Sequence, residues 1–498
     1  MQYTSTRDAQ VRVQAAEAIA TGISHEGGLF VPTALPSLSA DFLRQLLDLD
    51  YARRAEAILP LFLTDFTAEE IAACAQAAYG AQFDTPAVAP LHDLGDGRYM
   101  LELWHGPTCA FKDMALQILP HLMRVSVQKA APGEQVVILV ATSGDTGKAA
   151  LEGFKDAPDT RIAVFYPADG VSDMQRLQMV TQEGRNVGVC AIRGNFDDAQ
   201  TGVKALFTDE TVINNLKKNG MRFSSANSIN WGRLLPQIVY YISAYCDLVR
   251  DHGLKMGDPI NVTVPTGNFG NILAAYYARE MGLPIAKLIC ASNQNRVLTD
   301  FFESGTYNSD RPFYTTTSPS MDILVSSNLE RLLYHLADGD TQEIRRLMQG
   351  LKEQRRYTVS DKVKARLDAL FAAGCATDAD AADTIGRLFA QQGYLCDTHT
   401  AVAVHVYDEY RAATGDTTPT VIASTANPYK FAPAILDALG ETAPAAPFEQ
   451  LTALHAKTGA PIPSPLVGLS EKAVRFTDVC TRDTESMRQA VFSLLHIN

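Results

Sequence analysis

Several common protein classes are excluded by what this sequence lacks. It holds eight cysteines in 498 residues, but no two stand in a C-x-x-C pair, so no zinc or redox motif is visible. They are scattered through apolar stretches, as buried free thiols of a cytosolic protein are. No apolar run is long enough to span a bilayer. The opening MQYTSTRDAQVRVQ is polar and has no apolar centre of the kind a secretory signal needs. A cytoplasmic protein, without a membrane partner, is therefore expected. Basic residues are in deficit, 43 against 56 acidic ones, for a net charge of −13. That disfavours nucleic acid and anionic membrane surfaces as partners, since both select a basic face. An anionic small-molecule substrate stays open, because a local cluster can be basic on an acidic protein. Internal repeats and low-complexity segments are absent too.

Hydrophobic residues make up 46% of the chain and charged residues 20%, as in ordinary globular proteins. A chain of this length exceeds one ordinary core, so more than one domain is expected. Residues 1–97 read as mostly helical. Phe42, Leu43, Leu46 and Leu47 share one helix face, and Thr67 with Glu70 forms a capping box ahead of Ile71. GGLFVP at 27–32 reads as a short turn and strand within this region. From residue 98 the rhythm changes to strand, loop and helix. VVILVA at 136–141, RIAVFYP at 161–167, NVGVCAI at 186–192, INVTVP at 260–265, AKLICAS at 286–292 and TVIAST at 420–425 are continuous apolar strands. Such strands, alternating with helices, predict a parallel sheet covered on both faces, with its active site in the loops after the strands' C-terminal ends. Residues 98–299 and 376–440 are read as the two parts of this α/β core. Residues 300–375 read as a charged helical insertion, where Lys352, Arg355, Arg356, Lys362, Lys364 and Arg366 form a solvated face, with a basic docking surface as the alternative. Residues 441–498 read as a C-terminal extension.

Three loops after strands are rich in Gly, Ser, Thr and Asn. The first, SGDTGK at 143–148, fails the nucleotide P-loop pattern: Thr142 stands where its first Gly belongs, and Ala149 follows Lys148 where Ser or Thr would bind magnesium. A helix N-terminus there can bind a phosphorylated ligand through its free N–H groups; a plain turn with a helix cap is the equal alternative. The second, PTGNFGN at 265–271, combines Gly267 and Gly270, which let the backbone approach a ligand closely, with the amides of Asn268 and Asn271. Its spacing is not that of the dinucleotide fingerprint, and a small phosphate monoester suits it better than a pyrophosphate. The third is ASTANP at 423–428. HGPTCAFKD at 105–113 adds Lys112 among Cys109, Ala110, Phe111 and Met114, neighbours that would desolvate its amine and free the lone pair for Schiff-base formation.

With these segments in hand the chain resembles the threonine synthase family, in its longer form with an extra N-terminal region. HGPTCAFKD is similar to that family's cofactor-lysine segment. SGDTG, YPADGVSDMQRLQM from Tyr166, SSANSINWGR from Ser224 and PTGNFGN follow in the family's order, as do the early GGLFVP and the late CDTHTAVA and ASTANP. The resemblance runs from about residue 3 to about residue 430. It implies the pyridoxal-phosphate fold type II, like the tryptophan synthase β chain, with parallel sheets flanked by helices and a helical N-terminal region.

The resemblance also implies roles. Lys112 would carry pyridoxal 5′-phosphate as a Schiff base and serve as the base. Gly267, Asn268, Phe269, Gly270 and Asn271 would hold the cofactor phosphate, and Thr425 would face the pyridine nitrogen. Asp145 stands where related enzymes carry an Asn near the cofactor's 3′ oxygen. A carboxylate there would repel a phenolate unless one is protonated or both are bridged. Cys109 occupies an expected aliphatic position, and packing is its expected role. O-phospho-L-homoserine and water would give L-threonine and phosphate. Candidates to bind the substrate and its leaving phosphate are Arg233, Ser228 and Asn230 in SANSINWGR, with Ser143, Thr146 and Lys148 from the first loop. A structural ion pair is the alternative for Arg233, an exposed helix position that for Lys148. His105 reads as a loop-shaping residue, and His399 and His405 as packed histidines; no metal site is expected. The partner is a small molecule and the assembly a monomer or small homo-oligomer. Two other functions are distinguished by product and by colour: a phospholyase that eliminates phosphate without adding water, and a non-catalytic ligand-binding relative.

Overall fold

The computed structural model describes residues 1–169 and 171–495. Two sheets organise it. The larger has six strands in the order Phe371–Cys375, Ile285–Ser292, Ile260–Pro265, Thr420–Ser424, Arg98–Glu102 and Leu91–Asp93. Only the outermost pair, Leu91–Asp93 with Arg98–Glu102, is antiparallel. The smaller sheet is wholly parallel, in the order Val479–Thr481, Val187–Arg193, Thr160–Pro167, Gln135–Ala141 and Met221–Ser225. The six apolar runs read from the sequence all form strands of these sheets. Their side chains are buried on both faces: Val136, Val137, Ile138, Leu139 and Val140 have no exposed surface, as helix-covered parallel strands require.

Strands that the sequence reading did not single out lie mostly at the margins. Met221–Ser225, Phe371–Cys375 and Val479–Thr481 are outer strands, where one neighbour and one wetter face remove the need for a continuous apolar run. Phe371–Cys375 also shows that the 300–375 segment is more than an appendage, since it adds a parallel strand beside Ile285–Ser292. The rest of that segment is helices Leu329–Leu336, Thr341–Gln354 and Asp361–Leu370 with a small antiparallel pair, Thr306–Asn308 on Arg356–Thr358. Much of its basic charge is met locally: Lys362 and Arg366 share Asp338, and Lys364 pairs with Asp368.

The N-terminal region is helical, with Ala15–Thr21, Ala40–Leu46, Tyr51–Ile58 and Ala68–Ala78, plus the antiparallel pair Tyr3–Ser5 and Phe30–Pro32. The capping box at the start of Ala68–Ala78 is formed in both directions between Thr67 and Glu70. This region is packed onto the core rather than tethered to it. Trp231, fully buried, touches Tyr3, Phe62 and Tyr277 at ring-centroid distances of 5.4, 5.7 and 5.5 Å. The buried Arg54 reaches Ser243 Oγ at 2.7 Å on helix Pro236–Asp251.

Candidate active site

Loops after the C-terminal ends of strands from both sheets open on one cleft, lined by polar and apolar side chains together. The loop after Arg98–Glu102 brings Lys112. Gly106 in its HGPT turn is required by packing: a Cβ there would lie 2.5 Å from the Asp113 carboxylate. Asp113 closes the turn by accepting from Thr108 N (2.8 Å) and Thr108 Oγ1 (2.7 Å). Burial pushes its carboxyl up to about 6 against the pull of those bonds. Cys109 sits in the left-handed region at φ +59°, where a non-glycine residue costs about 1–3 kcal/mol and marks a constrained site. Its thiol is buried and pushed up to about 12 by that burial, so it packs and does not react.

Lys112 is buried, and its Nζ donates to Ser320 Oγ at 3.0 Å and lies 3.6 Å from Asp145 Oδ2. Burial drives the amine down to about 8; Asp145 opposes this, while Arg233 and Lys430 reinforce it. A lysine so lowered presents an appreciable neutral, nucleophilic fraction near neutral pH.

The first loop follows strand Gln135–Ala141. Thr142 Oγ1 accepts from Gly144 N (2.9 Å) and Gly147 N (2.8 Å), fixing the start of helix Asp145–Phe154. Gly144 takes φ +130°, and a Cβ on it would lie 2.4 Å from Gln175. Ser143 and Thr146 line the cleft. Lys148 does not: two residues beyond Thr146 is about 200° around the helix, and its ammonium is held by Glu152 (2.8 Å) and Gln182. Asp145 is buried, with Oδ1 taking Lys430 Nζ at 2.7 Å and Gln175 Nε2 at 2.9 Å. Burial alone would raise its pKa, but Lys430 and Lys112 hold the carboxyl far below the usual range. Lys430, the residue the sequence reading missed, thus supplies the counter-charge that makes a carboxylate tolerable at this position.

The second loop joins strand Ile260–Pro265 to helix Gly270–Glu280, and Gly267, Asn268, Phe269, Gly270 and Asn271 all line the cleft. Phe269 precedes the helix at φ +65°. The loop's carbonyls are bound from behind: Ser326 Oγ donates to Gly267 O (2.7 Å), and Asn328 N and Nδ2 both donate to Asn268 O (3.1 Å). That leaves the helix's first N–H groups, which have no intrahelical acceptor, for a ligand. A Cβ on Gly267 would lie 2.6 Å from Ser320 O, so the cradle is closed to any larger residue. Asn271 Oδ1 accepts from Tyr240 OH (2.7 Å) and Tyr241 OH, while its Nδ2 is buried without a partner. An unpartnered buried N–H donor at a helix N-terminus is what a phosphate would satisfy.

Further walls come from segments distant in sequence. Thr425 lines the cleft and is tied to the Lys112 segment, Phe111 N donating to Thr425 O at 2.8 Å. After strand Met221–Ser225, Ser228 lines the cleft and accepts from Asn328 Nδ2 at 2.9 Å. Asn230 is not in the cleft wall. Its amide is spent on Ile19 O (2.9 Å), Ser225 O (2.9 Å) and Gly232 N (2.8 Å), pinning the N-terminal region to the turn. Arg233 lines the cleft at 4% exposure. The one hydrogen-bond partner of its guanidinium among the described residues is Ala226 O (2.6 Å), its Nε is buried and unpartnered, and no described carboxylate lies within ion-pair distance. Burial pushes it down to about 10. The ion pair weighed as its alternative role therefore has no partner here.

Ser320, Met321 and His399 complete the cleft. His399 accepts from Ser320 N at Nε2 (3.1 Å) and is bound at Nδ1 to Asp397 (2.8 Å), so it positions the Ser320 turn. His405 lies away, 3.4 Å from Glu409. His105 is bracketed by Asp84 and Glu102; burial lowers its pKa, and these carboxylates more than reverse that. It fixes its loop and does not line the cleft. Lys430 closely follows ASTANP, and a lysine in that apolar stretch is the signal that could have found it. Ser320 and Asn328 carry no local signal, because they reach the site only through the fold of the 300–375 segment.

Residues 2–79 match the family model "Threonine synthase N terminus", 84–425 that of pyridoxal-phosphate dependent enzymes, and 400–491 "Threonine synthase, C-terminal". Threonine synthase of Pseudomonas aeruginosa is 38% identical over 451 residues, 90% of this chain and 92% of its own length. Threonine synthase-like 1 of Homo sapiens is 41% identical over 455 residues, 88% of this chain; the chain spans 60% of the length of that relative. A crystal structure of threonine synthase from Brucella melitensis with bound pyridoxal phosphate has a TM-score of 0.87 at 37% identity, covering 100% of this chain and 99% of that one. Threonine synthase from yeast has a TM-score of 0.86 at 31% identity, covering 99% of each chain.

Proposed function

The chain belongs to the threonine synthase family of pyridoxal-phosphate enzymes, and from that premise we propose that it converts O-phospho-L-homoserine and water to L-threonine and phosphate, the last step of threonine biosynthesis. The observation that carries this reading is Arg233: a buried guanidinium without a counter-ion among the described residues, in one cleft with Lys112, is a site for a second phosphate. The cofactor phosphate has its own cradle in residues 267–271.

Pyridoxal phosphate supplies an electron sink for charge at the substrate's α carbon. Lys112 would hold that group and be freed when substrate takes its place. Its freed amine then lies where the α proton leaves, and it moves that proton and later one from the β carbon. Ser320 Oγ, 3.0 Å from Nζ, fixes the amine's direction between transfers. Asn271 Nδ2 and the first amides of helix Gly270–Glu280 hold the cofactor phosphate. Thr425 lines the same cleft and would offer the bound group a hydroxyl, not a carboxylate, which would keep the sink mild. Arg233, with the hydroxyls of Ser143, Thr146 and Ser228, grips the substrate phosphate and stabilises it as it departs from the γ carbon. The two protons taken up return to the γ and α carbons, the hydroxyl of water adds at the β carbon, and water's remaining proton goes to the released phosphate.

Incubating the purified protein with pyridoxal phosphate and O-phospho-L-homoserine, and measuring phosphate and amino acid together, tests this. Equal yields of phosphate and L-threonine are expected. Phosphate with a 2-oxo acid and ammonia would assign a phospholyase instead, and no product with no cofactor absorbance would assign a non-catalytic relative.

A further inference from the structure

A lysine buried without water needs a reason, and Lys430 is buried more completely than Lys112, with 1% of its surface exposed against 7%. Its Nζ has two partners: Thr108 O at 2.8 Å, in the turn that carries Lys112, and Asp145 Oδ1 at 2.7 Å. Gln175 Nε2 binds the same carboxylate oxygen at 2.9 Å. The other oxygen, Oδ2, is turned to the cleft residues Ser320 and Lys112, 3.4 Å from Ser320 Oγ and 3.6 Å from Lys112 Nζ, although Asp145 itself does not line the cleft. Asp145 therefore has one oxygen committed to the fold and one facing the reactive amine. We propose that Lys430 is a positioning residue that acts on Lys112 through Asp145: its ammonium pins Oδ1, so that Oδ2 stands as a fixed negative charge beside the amine and its Ser320 partner.

The inference rests on the reading of Lys112 as the cofactor lysine. A single carboxylate beside a lysine would bind its ammonium tightly and hold the proton. Lys430 offsets part of that charge, so the amine keeps a neutral fraction while still having a neighbour that stabilises it when it carries a proton. The proton balance is internal: Lys112 gains the substrate proton and returns it, and Asp145 stays ionised throughout. Other titratable groups face the pair. Arg233 acts electrostatically on Lys112, Asp113 and Cys109 feel the charge of Lys430, and the His399–Asp397 pair binds Ser320 N.

Two variants and a spectroscopic readout decide the matter. In the holoenzyme, the pH midpoint of the bound cofactor's absorbance reports the proton at Lys112's linkage. Lys430→Met removes a positive charge and leaves Asp145, so the midpoint should rise, on the order of one pH unit. Lys430→Met with Asp145→Asn removes both charges, of which Asp145 is the nearer to Lys112, so the midpoint should fall below that of the parent. The double variant buries no lone charge and stays readable if the single one does not fold. A parental midpoint in either folded variant overturns the proposal and leaves Lys430 a structural residue, read by melting temperature alone. Borohydride reduction and peptide mapping of the parent separate the two levels. A label elsewhere than Lys112 defeats the underlying reading, whereas a label on Lys112 with an unmoved midpoint defeats only this one.

Discussion

Arg233 and Arg331 are both buried, and burial pushes both down to about 10, yet the fold uses them differently. Arg331 spends its guanidinium on Phe30 O (3.0 Å), Ile229 O (2.7 Å), Ser228 O (3.3 Å) and Asn328 Oδ1 (2.5 Å). Arg233 has Ala226 O and an unpartnered Nε. Conservative replacement should therefore separate them. Arg233→Lys keeps the charge and loses the planar fork. It should raise KM for O-phospho-L-homoserine and lower kcat/KM about tenfold or more, or ~1–3 kcal/mol of charge-assisted bonding, with the cofactor spectrum unmoved. Arg331→Lys should lower the melting temperature, because four acceptors lose their donor. A parental KM with a depressed melting temperature in Arg233→Lys would take that residue out of substrate binding. Lys112 carries a second expectation at this scale. Its amine is pushed down to about 8 by burial, so the neutral fraction that can take up cofactor grows as pH rises toward 8 and saturates above it. The rate of pyridoxal-phosphate uptake by the apo-protein should climb through pH ~8 and then flatten; a lysine at its ordinary value near 10.4 would keep climbing. Stopped-flow absorbance across pH 6 to about 10 reads the difference.

The elements that make the site are three loops and one turn, and they differ in how much the sequence discloses. The loop after Ile260–Pro265 was legible because two glycines and two asparagines between a strand and a helix have few other uses. Its loop-to-helix geometry makes Asn271→Asp informative: a carboxylate replaces a donor beside the phosphate, and both tyrosine hydroxyls would bind it in place. Cofactor affinity measured by fluorescence titration should fall by roughly tenfold or more for a charge brought this close in a sheltered site; equal affinity would remove Asn271 from the phosphate cradle. Lys148 and Asn230 were read from the same kind of motif and face elsewhere. Motif membership gives a residue's neighbourhood, but helix phase gives its direction, and Lys148 is half a turn past Thr146. Asn230 shows a different limit: its amide is claimed by Ile19 and Ser225, contacts that exist only once the N-terminal region has docked. The six apolar strands announced themselves through burial on both faces, whereas the marginal strands, paired on one side, did not. Ser320 and Asn328 lie in a turn-rich stretch whose composition says only that it is a loop. The place of Ser320 in the cleft, and of Asn328 behind its wall, is a consequence of where Phe371–Cys375 and helix Leu329–Leu336 anchor that loop.

At the scale of the molecule, the cleft is the place where otherwise separate parts meet. Lys112, Gly267, Asn271 and Thr425 come from the larger sheet, Ser143, Thr146 and Ser228 from the smaller, and Ser320 from the 300–375 segment. One hydrophobic cluster runs from Tyr3 and Leu46 in the N-terminal region through Val136 and Ile138 in the smaller sheet to Val262 and Val421 in the larger. A ligand bound across such a junction stabilises every part that must be assembled to form its site, by mass action: free cofactor at a hundred times its Kd contributes ~2.7 kcal/mol. Cofactor removal should therefore lower the temperature of the main unfolding transition as a whole, by a few degrees for a chain of this size, at ~1–2 °C per kcal/mol by extension of the size scaling. Adding back pyridoxal phosphate should restore it in a concentration-dependent way. Lys112→Ala separates the covalent from the non-covalent share: the residues 267–271 cradle still holds the phosphate, so part of the shift should survive while turnover is lost. Differential scanning calorimetry of holo, apo and Lys112→Ala protein makes the comparison. Two transitions, one of them indifferent to the cofactor, would mean that the N-terminal region or the smaller sheet unfolds on its own despite the shared core. A single transition that moves with cofactor would mean that the contacts around Trp231 and Arg54 couple the N-terminal helices to the cleft strongly enough for the whole chain to respond to one bound phosphate ester.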